Sequence, residues 1–392
     1  MRFEFATSSR VVFGPGTLVE LGGLVVGMGR RTLVVTGRTP ERAGPLFEIL
    51  KEQGMDYVVF PVEGEPTIET VRKGTQLARE AGCDMVVGFG GGSALDAGKA
   101  VAALLTNGGD PLDYLEVVGR GRPLTRPSTP YVAVPTTAGT GSEVTRNAVL
   151  LSPEHRVKVS LRSHLMLPRL ALVDPELTCT LPPEVTASTG MDALTQLIEA
   201  YVSNRANPMT DGICREGMRR AARSLLRAYE RGDPEAREEM SLASLFGGMA
   251  LTNAKLGAVH GFAGPIGGEF RAPHGAVCAA LLPHVMEVNV RALRERAPES
   301  WALRRYDEVG RILTGKEDAG AEEGVAWVRK LCEALRIPPL ASYGIGPEHF
   351  GTLVERASTS SSMQGNPIKL TQEEMEEVLA RAVSCKSILQ RR

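Results

Sequence analysis

His260 and His274 stand fourteen residues apart in the segment 259–275, which is otherwise dominated by glycine and small apolar residues. They are two of only six histidines in this 392-residue chain. Neutral imidazole is the commonest protein ligand for divalent metals, and solvent-facing decoration explains histidines in such a setting poorly. A turn rich in proline and glycine between the two is expected to bring both rings to one point. Upstream, Gly190-Met191-Asp192-Ala193-Leu194-Thr195-Gln196 offers a carboxylate. Asp192 and Gln196 lie four apart on an expected helix and so share a face. A lone buried histidine more often satisfies a core than a metal. A carboxylate with two histidines gives equal weight to a metal site that polarises a substrate oxygen. His155, His164, His284 and His349 lack comparable settings.

Two glycine-rich loops could hold a phosphorylated ligand. Gly90-Gly91-Gly92-Ser93 sits between an expected strand and an expected helix. Glycines there let backbone N–H groups approach a phosphate, and a helix N-terminus adds favourable partial charge. Ser93 could cap the helix or bond a phosphate oxygen, and Asp96 in the first turn could meet the helix dipole or a ligand. A plain tight turn with an N-cap accounts for the same residues. Pro135-Thr136-Thr137-Ala138-Gly139-Thr140-Gly141-Ser142-Glu143-Val144-Thr145 follows another strand. Its density of small hydroxyl residues suits a loop wrapped on a polar ligand, at the edge where parallel sheets bind them; a solvated turn-rich loop is the alternative.

The elements that must position these residues fall into two halves. Short apolar runs at residues 32–36, 57–60, 85–89 and 131–134 read as strands, and 41–53, 67–81 and 94–105 read as intervening helices. Strands alternating with helices imply crossovers and a mostly parallel sheet. Beyond Leu181-Pro182-Pro183 the pattern turns helical, over 184–203, 209–230, 234–255, 276–290 and 371–384. The expected organisation is an α/β nucleotide-binding domain over 1–180 and an all-α metal- and substrate-binding domain over 181–392. A ligand is expected in a cleft between them.

Composition fits a soluble enzyme, with 43% hydrophobic and 23% charged residues. A net charge of −1 favours neither nucleic acid nor an anionic membrane. No apolar run of transmembrane length and no signal-peptide pattern is read. Cys83, Cys179, Cys214, Cys278, Cys332 and Cys385 are scattered without a Cys-x-x-Cys pair, as expected of reduced thiols in a cytoplasmic protein.

Taken together and in order, several segments resemble the iron-containing (group III) alcohol dehydrogenases of the dehydroquinate-synthase-like superfamily. They are Val12-Phe13-Gly14-Pro15-Gly16, the run 90–100, the loop 135–145, Val173-Asp174-Pro175-Glu176-Leu177-Thr178, Gly190-Met191-Asp192-Ala193-Leu194 and the region 260–275. The resemblance runs almost end to end. It implies a metal-assisted, NAD(P)-dependent oxidoreductase that interconverts an alcohol and an aldehyde or ketone, with Fe²⁺ or Zn²⁺ as the metal. It implies cofactor contacts from Gly91, Gly92, Ser93, Asp96, Thr136, Thr137, Thr140, Ser142 and Lys158. Asp192, His260 and His274 match three of the four family metal ligands. A homo-oligomer, dimer or larger, is expected, acting on a small molecule. A maleylacetate-reductase-like enzyme, a dehydroquinate-synthase-like lyase and a non-catalytic nucleotide-binding protein are the alternatives.

Three departures from the family pattern carry expectations. Gln196 replaces the usual second metal ligand, a histidine; an amide oxygen is a weaker donor for iron or zinc. Gly264 stands where many members carry a histidine for proton transfer or substrate contact. After the second strand the chain reads Thr36-Gly37-Arg38, where members that prefer NAD often carry an aspartate. Gly37 would not repel a 2′-phosphate, and Arg38 could pair with one.

Overall fold

The computed structural model describes residues 2–270 and 272–384, so Cys385 lies outside the described residues. Glu4–Leu181 forms one compact unit, and the chain from Pro182 onward forms the body of a second.

The first unit is built on a parallel six-stranded sheet. Its strands are β1 (Val11–Phe13), β2 (Arg31–Thr36), β3 (Asp56–Pro61), β4 (Met85–Gly90), β5 (Tyr131–Pro135) and β8 (Leu170–Val173), in the order β1-β8-β5-β4-β2-β3. Between β5 and β8 lies a hairpin, β6 (Asn147–Ser152) with β7 (Val157–Arg162). The helices are α1 (Leu21–Val25), α2 (Gly44–Glu52), α3 (Ile68–Glu80), α4 (Gly92–Asn107) and α5 (Pro111–Tyr114). Every residue of β4 and β5 is buried, as expected of parallel strands covered on both faces. Alternate side chains enter two cores. Val34, Val87, Phe89 and Val132 pack with Leu46 and Leu50 of α2. Leu33, Val35, Val86 and Ala133 pack with Val71 of α3 and Ala97, Val101 and Leu104 of α4. Asp174, beyond β8, accepts the N–H groups of Gly16, Leu18 and Glu176. This carboxylate ties the opening Val12–Gly16 motif to the Val173–Thr178 motif, so both serve the scaffold.

The second unit is helical: α6 (Pro183–Val202), α7 (Pro208–Arg231), α8 (Pro234–Ala254), α9 (Ala258–Glu269), α10 (His274–Arg296), α11 (Trp301–Thr314), α12 (Ala321–Ala334), α13 (Phe350–Ser358) and α14 (Gln372–Val383). Local signals delimit several of these. Asn207 accepts the N–H groups of Met209 and Thr210 ahead of α7, and Gly232 closes that helix at φ 62°. α6 is buried without a break from Gly190 to Val202. A helix buried all round is normally apolar, so Asp192, Gln196 and Glu199 along it each need a partner. α10 is long and apolar enough to cross a membrane, but most of it is buried inside this unit. It is a core helix.

The segment between the two candidate histidines is where the fold departs most from expectation. Up to Glu269 it is helix α9, with Pro265 inside it, and not a turn. Its N-terminus is capped from far away in sequence. Asn366 Oδ1 accepts the Ala258 N–H at 3.1 Å, and Glu199 accepts those of Val259 and His260 at 2.6 and 3.3 Å. A Cβ at Gly257 would lie 2.9 Å from both capping side chains, so the glycine is what lets them in. α10 likewise starts at His274 rather than Ala276. A Cβ at Gly275 would lie 2.2 Å from the Ser188 carbonyl oxygen. That missing side chain sets the first turn of α10 directly on the backbone of α6, one turn before Asp192.

Candidate metal centre and cofactor loops

Three helices of the second unit converge on one point. Asp192 comes from the buried α6, His260 from the first turn of α9, and His274 opens α10. Asp192 Oδ1 lies 3.3 Å from His260 Nε2 and 3.7 Å from His274 Nε2. The oxygen is buried and accepts no well-aligned hydrogen bond. A buried carboxylate oxygen with two ring nitrogens around it is poorly satisfied by protein alone and fits a cation. Cys278, one turn along α10 from His274, adds a fourth atom: its Sγ is 3.8 Å from His260 Nε2 and 3.7 Å from His274 Nε2. The donor atoms of Asp192, His260, His274 and Cys278 all lie within 4.8 Å of one another.

The surroundings orient these donors. His260 Nδ1 is 2.6 Å from Glu199 Oε2. A carboxylate at Nδ1 holds the proton there and leaves the Nε2 lone pair facing Asp192, the usual support of a metal-binding imidazole. Glu199 thus both caps α9 and sets the tautomer of His260. Burial opposes charge on Asp192, but the facing His274 and His260 rings and a hydrogen bond from the Gln196 amide outweigh it and hold the carboxyl below its ordinary value. Burial also opposes ionisation of the Cys278 thiol, and the same two rings overcome it, so its pKa is lowered. Burial opposes charge on both imidazoles too, but Cys278 and Asp192 hold them above their ordinary pKa. A cation bound here competes with protons for the rings, so its affinity rises with pH. The His274 side chain is 32% exposed, against 3% for Asp192; the cluster is reached from the His274 side.

In the first unit, the loops after β2, β4 and β5 leave the same edge of the sheet. Thr36 pairs with Phe89, and Gly90 with Pro135. This edge is where doubly wound sheets bind ligands, beside strands whose connections run in opposite directions. Gly91 is the N-cap of α4 and offers no side chain to its N–H groups. Ser93 therefore lies inside the first turn and is not the cap. A Cβ at Gly92 would lie 2.7 Å from Thr140 Cγ2, and one at Gly91 would lie 3.3 Å from Thr137 Cγ2. The two glycine-rich loops meet where Gly92 leaves no room for a side chain and Gly91 leaves little, and a bare helix N-terminus remains between them. Such a cradle fits an anionic phosphate.

Residues 8–175 match the family "Iron-containing alcohol dehydrogenase", and residues 186–383 match "Fe-containing alcohol dehydrogenase family, C-terminal". The chain belongs to the iron-containing alcohol dehydrogenase family. It is 36% identical to alcohol dehydrogenase 4 of Schizosaccharomyces pombe, covering 95% of this chain and 87% of that protein. It is also 36% identical to the 1,3-propanediol dehydrogenase of Klebsiella pneumoniae, covering 97% and 98%. Among solved structures it resembles a 1,3-propanediol oxidoreductase at TM-score 0.90 and 34% identity, covering 97% of this chain and all of that one. A sulfoacetaldehyde reductase from Bifidobacterium kashiwanohense, solved with NAD⁺, superposes at TM-score 0.86 and 27% identity, over 98% of this chain and 100% of that one. As a member of the family the chain is an oxidoreductase acting on alcohols and aldehydes, and membership implies a divalent metal and a nicotinamide cofactor.

Not every residue singled out from the family pattern faces its loop. Ser142 Oγ donates to Asp96 Oδ1 at 2.6 Å, and Asp96 Oδ2 accepts the Val149 N–H at 2.9 Å. Both side chains therefore brace the loop onto α4 and the hairpin. Lys99, which sequence reasoning passed over, completes this brace. Its fully buried Nζ lies 2.7–3.0 Å from Ser142 O, Ser142 Oγ, Thr145 Oγ1 and Asn147 O. Lys158 on β7 is paired with Glu65 at 2.8 Å. Gly37 has open space at its Cβ position, and Arg38 is exposed. Gln196 stands beside the metal cluster, its amide on Asp192 and its Oε1 towards Gly247 of α8, where a Cβ would lie 2.8 Å away. Cys278 was missed in the sequence. The signal was His274-x-x-x-Cys278, one helical turn, hidden because the helix was read as starting two residues late.

Proposed function

We propose that this chain is a metal-dependent alcohol dehydrogenase that takes NADP(H) at least as well as NAD(H), with Asp192, His260 and His274 as the metal-holding residues. The convergence of those three side chains carries the reading. A divalent cation held there would supply Lewis acidity towards an alcohol or carbonyl oxygen, and a bound nicotinamide would supply the hydride chemistry. Glu199 keeps His260 in its donor tautomer, and Gln196 holds Asp192 in register. Gly91 and Gly92 open the bare N-terminus of α4 to the cofactor pyrophosphate; Lys99, Asp96 and Ser142 hold the neighbouring loop still. Protein purified without chelators, stripped and reloaded with Fe²⁺ or Zn²⁺, tests the reading on a panel of small alcohols and aldehydes with both cofactors. Turnover that depends on reloading supports it, and equal turnover by stripped protein counts against it.

Cofactor preference rests on Gly37 and Arg38 at the end of β2. A carboxylate at position 37 would accept a hydrogen bond from the ribose 2′-hydroxyl and repel a 2′-phosphate. One charge-assisted contact from Arg38 adds about 1.5–3 kcal/mol for the phosphorylated cofactor. The Cβ site of Gly37 is open, so Gly37→Asp is tolerated and should move the ratio of kcat/KM values towards NAD by about tenfold or more. Strong NAD preference in the unaltered enzyme would defeat this assignment.

Proton transfer also takes a particular form in this chain. Gly264 lies one turn after His260 on α9 and has no side chain to carry a proton. Burial pushes His284 down to about 4, and it stands about 15 Å further along α10 than His274. His155 bonds Ser152, His164 bonds Arg146, and His349 accepts the Gly346 N–H at its Nδ1. The alcohol proton must leave through water or a hydroxyl group, so oxidation by enzyme kept saturated with metal at every pH should lack a histidine-like limb near neutral pH. The Cβ position of Gly264 is open. Gly264→His should raise the oxidation rate below pH 7 by about tenfold or more; an unchanged pH–rate profile would show that the lost imidazole is not limiting.

A further inference from the structure

We infer that Cys278 is the fourth donor of this cation site, and that its thiolate takes the place of the imidazole that Gln196 does not provide. The inference rests on the cation site proposed above and adds to it the ligand that decides which metal is held.

The spacing of the four atoms carries the argument. Donors about 2.0–2.3 Å from a common cation in a tetrahedron are separated from one another by about 3.3–3.8 Å. Here four of the six separations match: the oxygen–nitrogen ones are 3.3 and 3.7 Å, the sulfur–nitrogen ones are 3.8 and 3.7 Å, and all six are within 4.8 Å. The longest of these four, 3.8 Å, involves the sulfur, as it should, since a thiolate sits further from the metal than an imidazole. Cys278 is fully buried, and its place is fixed by the backbone. His274 and Cys278 are four apart on one face of α10, and Gly275 lets that turn rest against α6 beside Asp192. Gln196 already bonds Asp192 and turns its oxygen towards Gly247. It orients a ligand and leaves the fourth corner to sulfur.

One carboxylate, two imidazoles and one thiolate form a softer set than carboxylate and imidazole alone. Thiolate ligands select zinc over harder divalent ions. The site should therefore retain Zn²⁺ in preference to Fe²⁺ when both are supplied in equal amounts.

The test uses the full-length enzyme, stripped and reloaded with Co²⁺ as a spectroscopic probe, with cobalt content measured beside the absorption spectrum. One equivalent of cobalt with a near-ultraviolet thiolate-to-cobalt charge-transfer band is expected. Cys278→Ser should abolish the band and weaken metal retention by at least about tenfold, while Cys179→Ser, at an exposed thiol, leaves both unchanged. Stoichiometric cobalt without a thiolate band would overturn the role of Cys278 and leave the cation site standing. No stoichiometric cobalt would overturn both. X-ray absorption of the zinc-loaded unaltered enzyme decides the matter without relying on a variant that folds. One sulfur at about 2.3 Å is expected among nitrogen and oxygen neighbours, and a first shell without sulfur would refute the assignment.

Discussion

Replacing His260 with alanine should lower kcat/KM for alcohol oxidation by on the order of 10³-fold or more, since Lewis-acid stabilisation contributes several kcal/mol to the transition state. The same change should leave the protein without stoichiometric metal. Two structural features make the effect this large. The ring supplies one of the few donors in a buried cluster, with Asp192 Oδ1 only 3.3 Å from its Nε2. Its removal also takes from Glu199 Oε2 the ring nitrogen 2.6 Å away, although Oε1 and Oε2 still accept the Val259 and His260 N–H groups. The fold should therefore survive, and a circular dichroism spectrum with metal analysis separates lost metal from lost structure. Full activity in His260→Ala would place the chemistry elsewhere.

Lys99→Met should cost the α/β unit about 3–5 kcal/mol, the usual penalty for breaking a buried charge network by removing one partner. Methionine fills a similar volume but donates nothing to the four oxygens around Nζ. It also leaves Asp96 and Glu143 without a neutralising charge in the interior, where burial has already pushed Glu143 up to about 7. Because the lysine braces residues 142–147, the KM for cofactor should rise more than kcat falls. The pH dependence distinguishes a buried ammonium from simple packing. Burial lowers the Lys99 pKa in the folded state to about 8, from 10.5. The folded protein thus releases this proton before the unfolded chain does. Stability from this group is gained as pH rises from 8 towards 10.5, so the deficit of the methionine variant should widen over that window. Denaturant titrations at several pH values measure it; a deficit that is small and independent of pH would mean the lysine is a spacer.

Strands β2 to β5 were legible as short apolar runs bounded by turn signals, as in β2 and β4, whereas the short β1 and β8 of the same sheet were not read as strands. Asp192, His260 and His274 were legible from residue type, with a family order to set them in. What lay hidden depends on contacts distant in sequence. α9 has no local cap, since Glu199 and Asn366 supply it from 60 and 108 residues away. α10 begins on Pro273 with no side-chain cap, which concealed the turn joining His274 to Cys278. The pairing of Ser142 with Asp96 spans 46 residues, and no spacing rule reveals that two loop residues of a cofactor motif will bond a helix and a buried lysine instead of a ligand. The hairpin of β6 and β7 was not read from the sequence, although the buried positions of β6 alternate.

The most direct test of the metal centre is an anomalous difference map, at the zinc edge, from crystals of zinc-loaded enzyme whose activity has been verified. A single strong peak is expected about 2.0–2.3 Å from Asp192 Oδ1, His260 Nε2 and His274 Nε2 together. Active enzyme with those three side chains bare, or with its metal bound by other residues, would contradict the account.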